Sequence, residues 1–182
     1  MKIWDITSKL DENTPVYEGD PKFSVETRRT IQDDGYMVSK LRMGTHAGTH
    51  IDAPSHFIIG GKTVYELPLS STVGTCQVID DWDEYTEGVE KVLITGRKGN
   101  GRLTEKLAEK LVNDRVRLIG TNMMSIGDDA VHKVLLGSEC VILEKLRLDK
   151  VPCGEYMLIA APLKIEADGS PIRAMLIEKD QR

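Results

Sequence analysis

Gly44-Thr45-His46-Ala47-Gly48-Thr49-His50-Ile51-Asp52-Ala53-Pro54-Ser55-His56-Phe57 holds three of the chain's four histidines within eleven positions. A residue this rare does not cluster without cause, and imidazole beside carboxylate is the donor set that borderline divalent metals prefer. Backbone preferences then limit the shape. His46 and His50 would share one face of a helix, but Gly44, Thr45, Gly48, Thr49 and Pro54 each disfavour a helix interior. In a straight strand the two imidazoles would stand about 13 Å apart, too far for one ion. The segment is therefore expected to bend, and Gly48 is the residue able to permit it. Beyond the bend, His50 and Asp52 are two positions apart and project to one face of a strand at about 7 Å, a gap that converging side chains can close. His46, His50 and Asp52 are the candidate ligands on spacing alone. His56 has two readings: a loop residue remote from any ion, or a proton shuttle above it, for which a free pKa near ~6.5 is suited.

Working outward, residues 2–43 read as extended chain broken by turns. Glu18-Gly19-Asp20-Pro21 is one turn, because glycine accepts positive φ and proline cannot continue a ladder, and Asp33-Asp34-Gly35 is expected as a second loop. The pattern then changes. Short β-branched runs at 73–79, 91–95, 115–121, 140–143 and 156–160 are set among helical patterns. Residues 104–113 give the clearest helix, with Thr104 as its cap and Leu107, Ala108 and Leu111 on one face. A shorter helix over 129–136 carries His132, and Asp128 and Asp129 suit its positive end. Alternating strands and helices without a linker or repeat imply a single α/β domain with a mixed sheet over residues 1–182.

Composition agrees and excludes. The hydrophobic set is 40%, reaching about 49% with glycine, which is the range of ordinary globular chains. Net charge is −5, so no basic field exists to bind nucleic acid or an anionic membrane. No apolar run approaches the ~20 residues of a bilayer span. Trp4, Asp5 and Thr7 occupy the place where an export signal needs its apolar segment, so the cytoplasm is the expected location. Cys76, Cys140 and Cys153 are odd in number and lack C-x-x-C spacing, which suits reduced thiols.

The stretch from His46 to Phe57 fits the pattern H-x-G-T-H-x-D-x-P-x-H-F. On it, the chain resembles the cyclase family of metal-dependent hydrolases, whose members include bacterial kynurenine formamidases (arylformamidases). The resemblance extends to Trp4-Asp5-Ile6-Thr7, to Pro15-Val16-Tyr17-Glu18-Gly19-Asp20-Pro21, and to three C-terminal stretches. These are His132-Lys133-Val134-Leu135-Leu136, Val141-Ile142-Leu143-Glu144-Lys145-Leu146, and Leu158 to Lys164 with Ser170-Pro171-Ile172-Arg173-Ala174.

The resemblance implies a swivelling β/β/α fold and two divalent ions per subunit. His46, His50 and Asp52 would hold one ion, Asp52 would reach the second, and His132 and Glu144 would complete that second site. Imidazole with carboxylate suits zinc, while manganese shares oxygen-rich binuclear sites. The implied reaction is arylformamidase-like hydrolysis of N-formyl-L-kynurenine to L-kynurenine and formate. Hydroxide held by the two ions would attack the formyl carbon while His56 moves the proton. Tyr17 would offer a flat face to the aryl group. The resemblance also implies a homodimer or homotetramer. Two other functions fit the same residues: a cyclic-amide hydrolase of the isatin type, and a metal-binding module without turnover. Glu18 departs from the proline usual in the family's loop, and the methionines of 121–129 are expected to form an adaptable apolar wall.

Overall fold

A computed structural model describes residues 1–99 and 101–178. In chain order the elements are β1 (Ile3–Asp5), β2 (Ser24–Arg29), α1 (Ile31–Asp34), β3 (Val38–Arg42), β4 (His50–Asp52), β5 (Val73–Ile79), β6 (Lys91–Ile94), α2 (Glu105–Asn113), β7 (Leu118–Thr121), α3 (Asp129–Gly137), β8 (Val141–Glu144), β9 (Gly154–Ile159), β10 (Gly169–Pro171) and β11 (Met175–Glu178). Nine strands form one sheet in the order β1-β11-β9-β5-β6-β7-β8-β4-β10, and β2 pairs with β3 in a separate ribbon. The centre, β5 to β8, is parallel, and the flanking strands are antiparallel, which bears out the expected mixed α/β sheet.

The parallel strands are almost wholly apolar because both of their faces are covered. Val92, Ile94, Ile119 and Ile142 point to α2 and α3 and pack with Ala108, Leu111, Leu135 and Leu136. The alternate residues Leu93, Leu118, Val141 and Leu143 point the other way, onto Ile6, Ile51, Leu158 and Leu176. That second set joins residues from near both ends of the strand order, so the sheet curls around its own apolar face. Backbone contacts close the curl: Arg147 N–H donates to Ile6 O at 2.8 Å, and Pro162, just after β9, bridges to Ile172, just after β10.

Both expected helices form, each started by its side-chain cap. Thr104 accepts from Leu107 N–H and Asp128 from Val131 N–H. Two local expectations need correction. The Asp33-Asp34-Gly35 loop is the end of helix α1, because Thr30 caps it by accepting from Asp33 N–H and Gly35 closes it at φ 79°. The run expected from residue 115 enters the sheet only at Leu118, because Arg115 leaves α2 through a left-handed turn at φ 66°. Cys76, Cys140 and Cys153 are free thiols, the first two buried.

Candidate metal centre

The bend read from sequence exists. Gly48 takes φ +62°, and a Cβ there would come within 2.6 Å of Leu10 Cδ2, so both backbone and space favour glycine. The turn brings the His46 and His50 rings to 5.0 Å between centroids. His50 and Asp52 then lie on the same face of β4, with His50 Nε2 3.3 Å from Asp52 Oδ1. The neighbouring strand completes the group: β4 pairs with β8 in a register that sets His50 opposite Glu144. His50 Nε2 lies 3.7 Å from Glu144 Oε2.

His132 approaches from α3. Its Nδ1 is 2.8 Å from Asp128 O, and its Nε2 lies 3.3 Å from Glu144 Oε1 and 3.9 Å from Asp52 Oδ2. Donation from Nδ1 to that carbonyl leaves the Nε2 lone pair facing the carboxylates, the orientation that metal-binding histidines adopt. His50 is held similarly, Nδ1 being 2.8 Å from Gly48 O. Phe57 stacks on the His132 ring at 4.8 Å and fixes its plane.

Two buried carboxylates therefore stand between imidazoles. Asp52 directs Oδ1 at His46 and His50 and Oδ2 toward His132, while Glu144 directs Oε2 at His50 and Oε1 toward His132. Asp52 and Glu144 are 1% and 2% exposed, and among the described residues their ion-pair partners are imidazoles. Burying two carboxylates side by side is costly unless strong positive charge compensates it. The donor set therefore fits divalent cations: His50, Asp52 and Glu144 can present ligand atoms all within 4.8 Å of one another, as can His46, Asp52 and His56.

Electrostatics follow the same arrangement. Burial raises the Asp52 pKa, but the His46 and His50 contacts outweigh it and hold the carboxyl well below its usual range. Burial opposes a charged His46, yet Asp52 and Asp168 raise its pKa to about 9. Metal binding would displace that proton, since ligating imidazoles are neutral. His56 moves the other way, lowered by burial and by His46. Burial also opposes charge on His132, but Glu144 and the Asp128 carbonyl leave it raised.

A cavity of about 710 Å³ opens onto this cluster. Tyr17 lines it, and its hydroxyl donates to Met124 O at 2.9 Å. The methionine wall expected from 121–129 is corrected: Ser125, Gly127 and Asp129 line the cavity, while Met124 lines a separate, smaller one. Two lining residues were not foreseen from the sequence. Arg102 donates to Gly127 O at 2.9 Å, and Asp168 meets both His46 and His56. Asp168-Gly169 reads in sequence as an ordinary turn, and Arg102 stands alone between glycine and leucine, so neither carried a spacing signal.

Residues 4–98 match the Cyclase family model. The kynurenine formamidase of Bacillus cytotoxicus is 37% identical to the chain over 199 aligned positions, covering 94% of this chain and 95% of that one. The chain belongs to the cyclase family. Solved structures agree with the cyclase fold. One described as a potential metal-dependent hydrolase with cyclase activity superposes with a TM-score of 0.80 at 30% identity, over 99% of both chains. Isatin hydrolase A from Labrenzia aggregata gives 0.80 at 26% identity, over 98% of this cyclase-family chain and 94% of that one.

Proposed function

We propose that the protein is a metal-dependent amide hydrolase of the arylformamidase type, converting N-formyl-L-kynurenine and water to L-kynurenine and formate. The observation that carries this reading is the buried Asp52–Glu144 pair set between His46, His50 and His132 at the floor of an open cavity. The kinship with kynurenine formamidases along nearly the whole chain supports it.

In this reading His46, His50 and Asp52 would hold one divalent ion, Asp52 would reach a second, and His132 and Glu144 would complete that second site; zinc suits the set and manganese is the other candidate. Bound cations of this kind lower the pKa of water and polarise a carbonyl. His56 takes the proton from the attacking water and returns it to the leaving nitrogen; burial pushes its pKa down, which favours the neutral ring that can accept. Tyr17 bounds the cavity where an aryl ring would lie. Arg102 is the one lysine or arginine among the described residues lining the cavity, and its guanidinium matches the carboxylate of an amino-acid substrate.

The likeness to isatin hydrolase A supports cyclic-amide hydrolysis as the second reading. A binding module without turnover is the third, and an open cavity beside His56 argues against it, because structural metal sites close their coordination. We infer one domain over residues 1–182, assembled as a homodimer or homotetramer. The β2–β3 ribbon supports assembly: Val25 and Leu41 are paired on one face and both are more than half exposed. A two-stranded ribbon is marginal in water unless something covers it.

The test is turnover of N-formylkynurenine against isatin after the protein is stripped and reloaded with zinc or manganese. Formate release from N-formylkynurenine well above that from isatin opening is expected. Isatin as the better substrate would select the second reading, and no turnover of either at full metal occupancy would select the third.

A further inference from the structure

The Asp168 carboxylate stands at a point where three segments meet. It lies immediately before β10, whose register with β4 sets Gly169 opposite Asp52, and its own carbonyl accepts from Ala53 N–H at 2.9 Å. Its backbone is thereby fixed beside β4, and its side chain lines the cavity above the cluster. Oδ2 is 2.8 Å from His46 Nε2 and 3.1 Å from His56 Nδ1, and Oδ1 accepts from Thr45 Oγ1 at 3.1 Å. The two imidazoles it touches lie 4.0 Å apart between centroids, tilted by 32°. Gly169 makes this approach possible, because a Cβ there would fall 2.6 Å from His46 Cε1 and 2.8 Å from Ile51 O.

Each ring has one nitrogen on Asp168 and another elsewhere. His46 turns Nδ1 to Asp52 Oδ1 at 2.8 Å, on the side of the buried carboxylates. A neutral imidazole has one N–H, so when a cation against Asp52 takes the Nδ1 lone pair, the proton is on Nε2, where the Asp168 carboxylate accepts it and holds that tautomer. For His56 the same oxygen accepts from Nδ1, which leaves the Nε2 lone pair to receive a proton. A ring that accepts that proton becomes a cation, and a carboxylate already bonded to Nδ1 stabilises it.

We propose that Asp168 is a positioning residue that sets the tautomers of two histidines at once: that of His46 for metal ligation and that of His56 for proton transfer. The proposal rests on the hydrolase reading for the role of His56, but its metal and tautomer consequences are independent of substrate. The proton itself moves from water to His56 Nε2 and on to the leaving nitrogen, and Asp168 gains none.

Two substitutions separate charge from geometry. Asp168→Asn keeps an oxygen acceptor for both rings but removes the charge, whereas Asp168→Ala removes both. With zinc as the probe, Asp168→Asn is expected to keep zinc affinity within a few-fold. Its kcat on N-formylkynurenine should fall by about 100-fold with KM little changed, within the range that general acid–base catalysis contributes. Asp168→Ala is expected to lose zinc affinity by about 10–100-fold as well. In long-range ¹H–¹⁵N spectra of the zinc-loaded protein, His56 should be the Nδ1–H tautomer in the parent and in Asp168→Asn, and shift toward Nε2–H in Asp168→Ala. Parental zinc affinity together with an unchanged His56 tautomer in Asp168→Ala would overturn the proposal. So would a parental kcat in Asp168→Asn. If the parent turns over no amide, the hydrolase reading fails, while the affinity and tautomer measurements still decide whether Asp168 positions the two rings.

Discussion

His50 is nearly fully buried with both ring nitrogens engaged, so it contributes to the centre rather than to the surface. His50→Ala removes the imidazole that separates Asp52 from Glu144. Hydrolysis should fall to background and metal content should drop, with the circular dichroism spectrum kept; full turnover in this variant would remove the assignment of the site. His46, His50, Asp52 and His56 were legible in sequence because histidine is rare here and the glycine-punctuated spacing admits few geometries. His132 and Glu144 came only through the family resemblance: twelve residues apart on a helix and a strand, they show no local period that joins them. Asp168 was not legible at all. Its function comes from a tertiary approach across β10 and β4, and an Asp-Gly pair in sequence signals only a turn.

At the scale of elements, the first turn of α3 links stability to chemistry. Asp128 accepts from Val131 N–H through its side chain, and its carbonyl holds His132 Nδ1. Asp128→Ala should cost about 1 kcal/mol of unfolding free energy, the usual value of an N-cap. His132, a metal ligand in the proposed function, sits in the turn that frays, so turnover at limiting zinc should fall by more than the stability loss alone predicts. Parallel urea denaturation and zinc-titrated kinetics measure the two effects, and a stability loss without any rise in the zinc requirement would contradict this link. Helices α2 and α3 were readable because cap and apolar face coincide in sequence. Strand β4 was readable only through the His50–Asp52 spacing, and β10 was not readable as a strand at all, since Gly169-Ser170-Pro171 carries little β propensity and exists through pairing with a distant partner. Arg115 shows the converse, a residue inside a β-rich run that the turn out of α2 withdraws from the ladder.

At the scale of the molecule, an α/β chain was evident from alternating patterns, but the curl was not, because strand order depends on which apolar faces meet. The same core explains how metal should affect stability. A cation bound only by the folded state stabilises it by mass action, about 2.7 kcal/mol at a hundredfold excess over Kd. For a chain of this length that corresponds to a rise in Tm of about 5–10 °C. Scanning calorimetry after chelation and zinc reloading should show the fall and the recovery, and an unchanged Tm would argue that the folded state does not bind the ion. The exposed ribbon supplies a second test: Leu41→Asp should convert an assembled species to monomer in sedimentation velocity, and a parent already monomeric at micromolar concentration would reject ribbon-mediated assembly. The register of β4 against β8 has one more consequence. His50 and Glu144 are spaced by a backbone ladder, whereas Tyr17, Arg102 and Ser125 hang from connecting segments. On the proposed function, the floor that His50 and Glu144 form is thus set by the scaffold, while the walls that meet the molecule to be cleaved can be rewritten by editing a few surface connections.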